Sequence, residues 1–404
     1  MTTTEDRPTG DVGRNLGTSA PGPYLTEDRR QFRALAREFT MREVLPVANE
    51  LDPEGGEIPM ALRDKMSELG FFGIMIPEEH GGLGLGSFEY CLAAEELARG
   101  WMSVASIMAR GNKIMAGWDQ ERRRRLLPEV AAGRYLGAMA LSEPEAGSDV
   151  ANISCRARRD GDEWVVTGQK MWCTFADGAD YILLFARTGE QVDPGRRHRG
   201  ISAFMIEKER GSLPHRVHGT KVRKIGYRGW NTWELSFDEF RLPADALVGE
   251  EGRGFYMALQ NLEVARLHTA ARAIGLARGA LEDSITYAAE RAQFGHPIGE
   301  FQAIRFKIAW MASQIEAARS LMYEVCTRFD AGEKCGTEAS MAKLVASEMA
   351  ERVTSEGLQI HGGAGYTTDH AVERYWRDAR LTKIFEGTSE IQMRIVSDAL
   401  MGRV

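Results

Sequence analysis

Several large classes of protein are excluded by what the sequence lacks. Its five cysteines (Cys91, Cys155, Cys173, Cys326, Cys335) are odd in number and show neither a CxxC pair nor Cys/His ligand spacing. No disulfide framework and no metal site is therefore expected, and a reducing, cytoplasmic setting follows. No apolar run approaches the ~18 residues of a membrane helix. Residues 1–23, rich in Thr, Gly, Pro and Asp, lack the apolar centre of a signal peptide and read as a disordered tail. An excess of basic charge is missing too: 51 Lys and Arg against 58 Asp and Glu leave a formal charge of −7, which argues against a nucleic-acid-binding body. The basic run Arg122–Arg125 precedes Leu126-Leu127-Pro128 and reads as a solvated helix face stopped by proline. There is no P-loop and no GxGxxG after a strand; the glycine-rich "GGLGLGSF" lies between helical stretches.

What is present divides the chain into three parts. From Thr26 the text is helical: Thr26-Glu27-Asp28 offers a cap and an acidic first turn, and "RRQFRALAREFTMREVL" spaces its apolar residues by three and four. Near Met139 the period changes to two in "EWVVTGQKMWC", "YILLFART", "ISAFMIEKE" and "TWELSFDEF". After Gly254 helical periodicity returns in three long stretches, with a fourth from Glu390 to Leu400. The expected fold is α+β: an N-terminal all-α domain (24–138), a middle β-barrel-like domain (139–252) and a C-terminal four-helix bundle (253–404).

Two local patterns point to chemistry. Gly147-Ser148-Asp149 is a turn whose N–H groups and hydroxyl suit an anion. Trp172 and Thr174, two apart on a strand, would offer a planar heterocycle a stacking wall and a hydrogen-bond donor. Each has an ordinary reading as well, as a β-turn and as a core tryptophan.

Five strings in one order, "LSEPEAGSD", "GQKMW", "RAQFG", "QIHGGAGYTTDHAVERYWRD" and "FEGTSEIQ", make residues 24–404 resemble the acyl-CoA dehydrogenase family of flavoenzymes. The resemblance implies FAD as cofactor, an acyl-CoA substrate, an electron-transfer flavoprotein as acceptor, and a homotetramer (dimer of dimers) or homodimer. Through it, Leu141, Ser142, Trp172 and Thr174 would line the flavin ring, and Ser148 would lie near the phosphates of the acyl-CoA. Arg291, Gln293, Phe294, Gln359, Gly362 and Gly363 would hold the adenine-dinucleotide half of FAD across a subunit boundary. Thr388 and Glu390 would close over FAD, and Glu263 and Arg266 would meet the pantetheine and phosphate portions of CoA.

Dehydrogenation of adjacent carbons in a thioester needs a base at Cα, a hydride acceptor at Cβ and donors to the carbonyl oxygen. Glu386 is the candidate base. It follows the apolar pair Ile384-Phe385, has no basic neighbour in sequence after Lys383, and precedes Gly387 and a Ser389-x-x-Gln392 capping box. Some relatives carry the base just before the arginine of "NLEVAR"; here that residue is Ala265, and Glu263, one turn away, is the weaker rival. "RGWMSVASIMARGN" and "IGYRGWNTWELSFDEF" resemble the (2S)-methylsuccinyl-CoA dehydrogenase branch and suggest Arg110 as a clamp for a second substrate carboxylate. Its ordinary reading is a helix-end arginine bound to carbonyls. A dehydrogenase for butyryl- or isobutyryl-CoA, an oxidase of the same fold and a non-catalytic flavoprotein remain as alternatives.

Overall fold

The computed structural model describes residues 24–112, 117–189, 196–260 and 262–402; the tail expected at 1–23 lies outside the described residues. α1 (Glu27–Phe39) starts where the sequence indicates, with Thr26 Oγ1 accepting the Arg29 N–H at 3.3 Å. It is followed by α2 (Leu45–Leu51), α3 (Met60–Glu68), α4 (Ser87–Gly100), α5 (Met102–Ile107), α6 (Ala109–Asn112) and α7 (Gln120–Ala131). Pro128 does not stop α7 but lies inside it. The ring removes one N–H from the helix ladder, while Leu126, Leu127, Val130 and Ala131 carry the last turns into a hydrophobic core.

The strands are β1 (Gly137–Ala140), β2 (Arg156–Asp160), β3 (Glu163–Thr174), β4 (Tyr181–Arg187), β5 (Ile201–Glu207), β6 (Val217–Lys221), β7 (Thr232–Pro243) and β8 (Leu247–Val248). They run in the order β6-β7-β3-β2-β4-β5-β8, with β1 also on β4. β1 and β2 pair with successive stretches of β4, through Ala140↔Leu184 and Arg156↔Arg187. The segment 141–155 leaves the sheet between those two pairings, so its loop is held at both ends by one strand. Ile182, Leu184 and Ala186 of β4 meet side chains from β1, β2, β3, β5, β6 and β7 in a single core. Tyr181, Leu183 and Phe185 pack on the other face with residues of α7. That shared interior makes the sheet barrel-like, although β6 and β8, at the two ends of its path, do not pair with each other.

The chain then forms α8 (Gly254–Gln260), α9 (Leu262–Glu290), a hairpin of β9 (Ala292–Gln293) and β10 (His296–Pro297), α10 (Gln302–Asp330), α11 (Gly336–His361), α12 (Val372–Thr382) and α13 (Ser389–Met401). α9, α10, α11 and α13 are the four expected helices, and α12 is an addition to them. The first and last parts share one core: Phe88, Leu92 and Leu97 of α4 join Leu267, Ile274 and Leu281 of α9. α4 is buried almost all round, so its charged residues need partners inside the protein. Glu95 receives Arg278 and Arg319 at 3.0 and 2.9 Å, Glu96 receives Arg33 at 2.8 Å, and Arg99 reaches Glu282 at 2.9 Å and Asp283 at 2.7 Å.

Candidate active site

Glu386 lies in the connection between α12 and α13. Its φ is +56° and that of Gly387 is +88°, two left-handed residues in succession. Glycine takes this conformation freely, whereas a glutamate is strained by ~1–3 kcal/mol, a cost typical of functional sites. The hinge therefore includes Glu386 itself. The Ser389 capping box does not form. Thr388 is in the extended conformation that precedes a helix, and its Oγ1 accepts the Ile391 N–H at 3.3 Å. Ser389 instead donates to Glu348 at 2.7 Å, and Gln392 Nε2 donates back to the Gly387 and Glu386 carbonyls at 3.0 and 3.4 Å. Glu390 is exposed; its own backbone N–H and then the Thr388 hydroxyl hold its carboxyl below the usual range.

The absence of a basic neighbour in sequence is reversed in space. Arg272 of α9, 2 % exposed, brings Nη2 to 3.5 Å from Glu386 Oε1. Arg272 Nη1 donates to Ser106 Oγ at 2.8 Å and Nη2 to Thr269 Oγ1 at 2.9 Å, and its Cζ lies 4.6 Å from the centre of the Phe385 ring. Lys343, fully buried on α11, donates to the Gly387 carbonyl at 2.7 Å; burial pulls it down to about 8, against the opposing charge of Glu386. Lys383 turns away onto α11, where Glu348 and Glu351 accept it at 2.8 and 2.6 Å. Ile384 is exposed and contributes no burial; Phe385 is half-buried under Arg272. Tyr90 of α4, stacked on His268 at 4.7 Å, feels Arg272, Glu386 and Arg110. Burial pushes its phenol well above the ordinary range, so the hydroxyl stays protonated.

The wall expected for a flavin is built at the end of β3. A bulge between Lys170 and Cys173 breaks the pairing with β7, and Trp172 has φ +63°. The bulge, rather than plain alternation, turns the Trp172 indole outward (56 % exposed) while Cys173 stays in the core and Thr174 is half-buried. Lys170, fully buried, donates to Glu143 Oε1 at 2.7 Å and to the Leu141 carbonyl at 2.9 Å; Glu143 also accepts the N–H groups of Ser154 and Cys155. The Met171 N–H reaches the Ser142 carbonyl at 2.8 Å, so Leu141 and Ser142 are tied beside Trp172. Thr174 Oγ1 meets Thr232 Oγ1 at 3.0 Å, and Lys224 Nζ donates to Thr232 Oγ1 and to the carbonyls of Tyr227 and Trp230.

The remaining predicted residues fall into separate groups. Arg291, Gln293 and Phe294 are exposed on the β9–β10 hairpin, Phe294 by 92 %, and Gln359, Gly362 and Gly363 are exposed at the end of α11. Within this chain neither group touches the Glu386 hinge through any described hydrogen bond or ion pair. Ser148 is exposed next to Asp149, which pairs with Arg197 at 3.0 Å. Arg187, almost fully buried, donates to the Ala151 and Ile153 carbonyls and lines a cavity of about 340 Å³ with Arg156, Arg158 and Arg159. Arg266 is mostly buried; its Nη1 reaches the Gly336 carbonyl at 3.4 Å, its buried Nε has no hydrogen-bond partner, and burial pulls the guanidinium down against the opposing charges of Glu263 and Glu386. Arg110 is not bound to carbonyls among the described residues. Its Cζ lies 5.4 Å from the Trp230 ring centre and its Nε is buried without a hydrogen bond. Trp230, buried against Phe175, donates to the Ser103 carbonyl at 3.1 Å.

Arg272, Lys343, Lys170, Lys224 and Tyr90 were not singled out by the sequence. For Arg272 a signal existed, a lone arginine in the apolar run "LHTAARAIGLA" of a long helix; the others become meaningful only through contacts made across the fold.

The site thus joins a strained carboxylate to a buried arginine, with a lysine on the next carbonyl, while a β-bulge of the sheet presents an exposed indole. The sequence patterns of the acyl-CoA dehydrogenase N-terminal, middle and C-terminal domains match residues 26–134, 138–240 and 252–401. An acyl-CoA dehydrogenase of Bacillus subtilis is 40% identical over 94% of this chain and 99% of its own. A (2S)-methylsuccinyl-CoA dehydrogenase of Cereibacter sphaeroides is 38% identical over 93% of this chain and 70% of its own. The structure of butyryl-CoA dehydrogenase from Megasphaera elsdenii superposes with a TM-score of 0.87 at 34% identity, covering 94% of this chain and all of that one. The chain belongs to the acyl-CoA dehydrogenase family and is an FAD-dependent oxidoreductase. The exposed Trp172 indole and the tied Leu141-Ser142 backbone fit a flavin ring. Among the described residues no helix is long and apolar enough to cross a membrane.

Proposed function

We propose that Glu386 removes the Cα proton of a short branched or dicarboxylic acyl-CoA, such as (2S)-methylsuccinyl-CoA, giving the trans-2-enoyl-CoA. The observation that carries this reading is the strained Glu386 hinge, which aims a carboxylate at a buried arginine rather than at solvent. Bound FAD supplies the hydride acceptor for Cβ at its N5. Loss of the Cα proton to Glu386 leaves the C–H electron pair to form the new double bond. The Glu386 N–H donates to the thioester oxygen and stabilises enolate character as it develops. Lys343 holds the Gly387 carbonyl and so fixes the hinge that aims the base. Glu386 is favoured over Glu263 as the base because it carries the strained backbone and stands beside the buried Arg272.

In the same reading, Leu141, Ser142, Trp172 and Thr174 contact the flavin ring, with Thr388 and Glu390 closing over the cofactor. Ser148 and the arginine-lined cavity next to its loop suit the phosphates of CoA, and Glu263 and Arg266 suit its pantetheine side. A homo-oligomer, tetramer or dimer, is supported by Phe294 and Tyr366, 92 % and 83 % exposed on the segments expected to meet FAD across a subunit boundary. An electron-transfer flavoprotein is the proposed acceptor, and five buried free cysteines are consistent with a cytoplasmic setting. A dicarboxylic acyl group is supported by Arg110, a half-buried guanidinium beside Trp230 without an acidic partner among the described residues.

Glu386→Gln should keep the flavin absorbance and lose reduction by acyl-CoA in anaerobic stopped flow, by a factor on the order of 10⁴. Unchanged reduction in that variant would remove Glu386 from its role.

A further inference from the structure

We propose that Arg272 is the residue that recognises a second carboxylate on the acyl group, and that this recognition frees Glu386 to act as base. The inference rests on the reading of Glu386 above and goes beyond it by naming the group that selects the substrate.

Arg272 differs from three other buried arginines of the same core, while Arg374 likewise bonds neutral oxygens but has no carboxylate of the hinge beside it. Arg278, Arg319 and Arg99 each hold a carboxylate oxygen within 3.1 Å. The hydrogen bonds of Arg272 go to neutral oxygens, those of Ser106, Thr269 and the His268 carbonyl. Its one carboxylate neighbour among the described residues is Glu386, at 3.5 Å. That is longer than the ~2.7–2.9 Å of a strong charge-assisted hydrogen bond. A guanidinium 2 % exposed has given up its water and gains most from an anion close by. It is thus a buried cation, oriented by two hydroxyls and only loosely neutralised.

Its position fits one class of ligand. In a succinyl-type thioester the distal carboxylate is bonded to Cβ, only two bonds from the Cα where the base acts. A cation that binds it must therefore stand beside that base, as Arg272 does. Arg110, beside Trp230, is a second guanidinium whose buried Nε has no hydrogen bond. Before substrate arrives, Arg272 serves as the counter-ion of Glu386. A substrate carboxylate takes over that counter-ion, and the hold of Arg272 on Glu386 weakens as the Cα proton is removed. An acyl group without the second carboxylate leaves Glu386 engaged, so selection acts on the rate of proton removal as well as on binding.

The test uses FAD-loaded enzyme and two substrates with one carbon skeleton, methylsuccinyl-CoA and 2-methylbutyryl-CoA, in which a methyl replaces the carboxylate. Flavin reduction is followed anaerobically for wild type, Arg272→Gln and the milder Ser106→Ala, with flavin absorbance and melting temperature as controls of folding. The wild-type rate ratio should favour methylsuccinyl-CoA by on the order of 100-fold, the weight of one buried charge pair. It should collapse in Arg272→Gln and fall by about 5-fold in Ser106→Ala, where one orienting hydrogen bond is lost. Equal losses on both substrates in both variants would overturn this inference and leave Glu386 as base. No reduction by any acyl-CoA in wild type would overturn both.

Discussion

Single residues acting over long sequence separations make this site. Glu386 and Arg272 are distant in the chain and stand 3.5 Å apart; Lys170 reaches back to Glu143 to fix the loop beside Trp172. The candidacy of Glu386 was legible because a carboxylate before glycine at a helix start is an unusual choice. The charge environment was not, because it depends on which helix faces the hinge. Lys170 and Glu143 form a buried pair in which each charge depends on the other. Lys170→Met should cost ~3–5 kcal/mol of unfolding free energy, measured by denaturant titration of the FAD-bound protein, since Glu143 would be left charged inside the sheet. A loss below ~1 kcal/mol would mean that the carboxylate is hydrated there.

Among the elements, the long amphipathic helices and the period-two strands were readable from spacing alone. The errors came where tertiary contact overrode local grammar. Pro128 is carried through α7 by the four apolar residues that follow the arginine run, and the cap of α13 shifts to Thr388 because the two preceding residues are left-handed. α12 escaped notice because "VERYWRDARLT" is polar overall and earns its place by buried charge. Its Arg377 meets Asp52 of the segment after α2 at 2.5 Å, and Asp378 accepts the Tyr227 N–H at 2.5 Å. Burial, then Asp52, pushes the Asp378 carboxyl up to about 7, against the pull of Arg377 and Arg374; Lys224 also faces this junction. A carboxyl raised on folding stabilises the native state most in acid, and that contribution is lost as pH rises through about 7. Melting temperature should therefore fall between pH 5 and 7.5, and Asp378→Asn should flatten the fall. The two lysines pulled down to about 8, Lys224 and Lys343, act in the opposite sense and mainly above this window. An identical slope in the variant would show that Asp378 is ionised throughout.

For the whole molecule, helix–sheet–helix order was visible as a change of hydrophobic period, and the five strings supplied the family. The shared core of the first and last helical parts was not visible, since nothing in a helix's own pattern says which neighbour it meets. That shared core sets α9 against α4, and Arg272 of α9 stands beside the Glu386 hinge. The most direct measurement is anaerobic bleaching of the bound flavin with methylsuccinyl-, isobutyryl-, glutaryl- and butyryl-CoA in turn. The account predicts complete reduction, fastest with methylsuccinyl-CoA; fastest reduction by butyryl-CoA would contradict it.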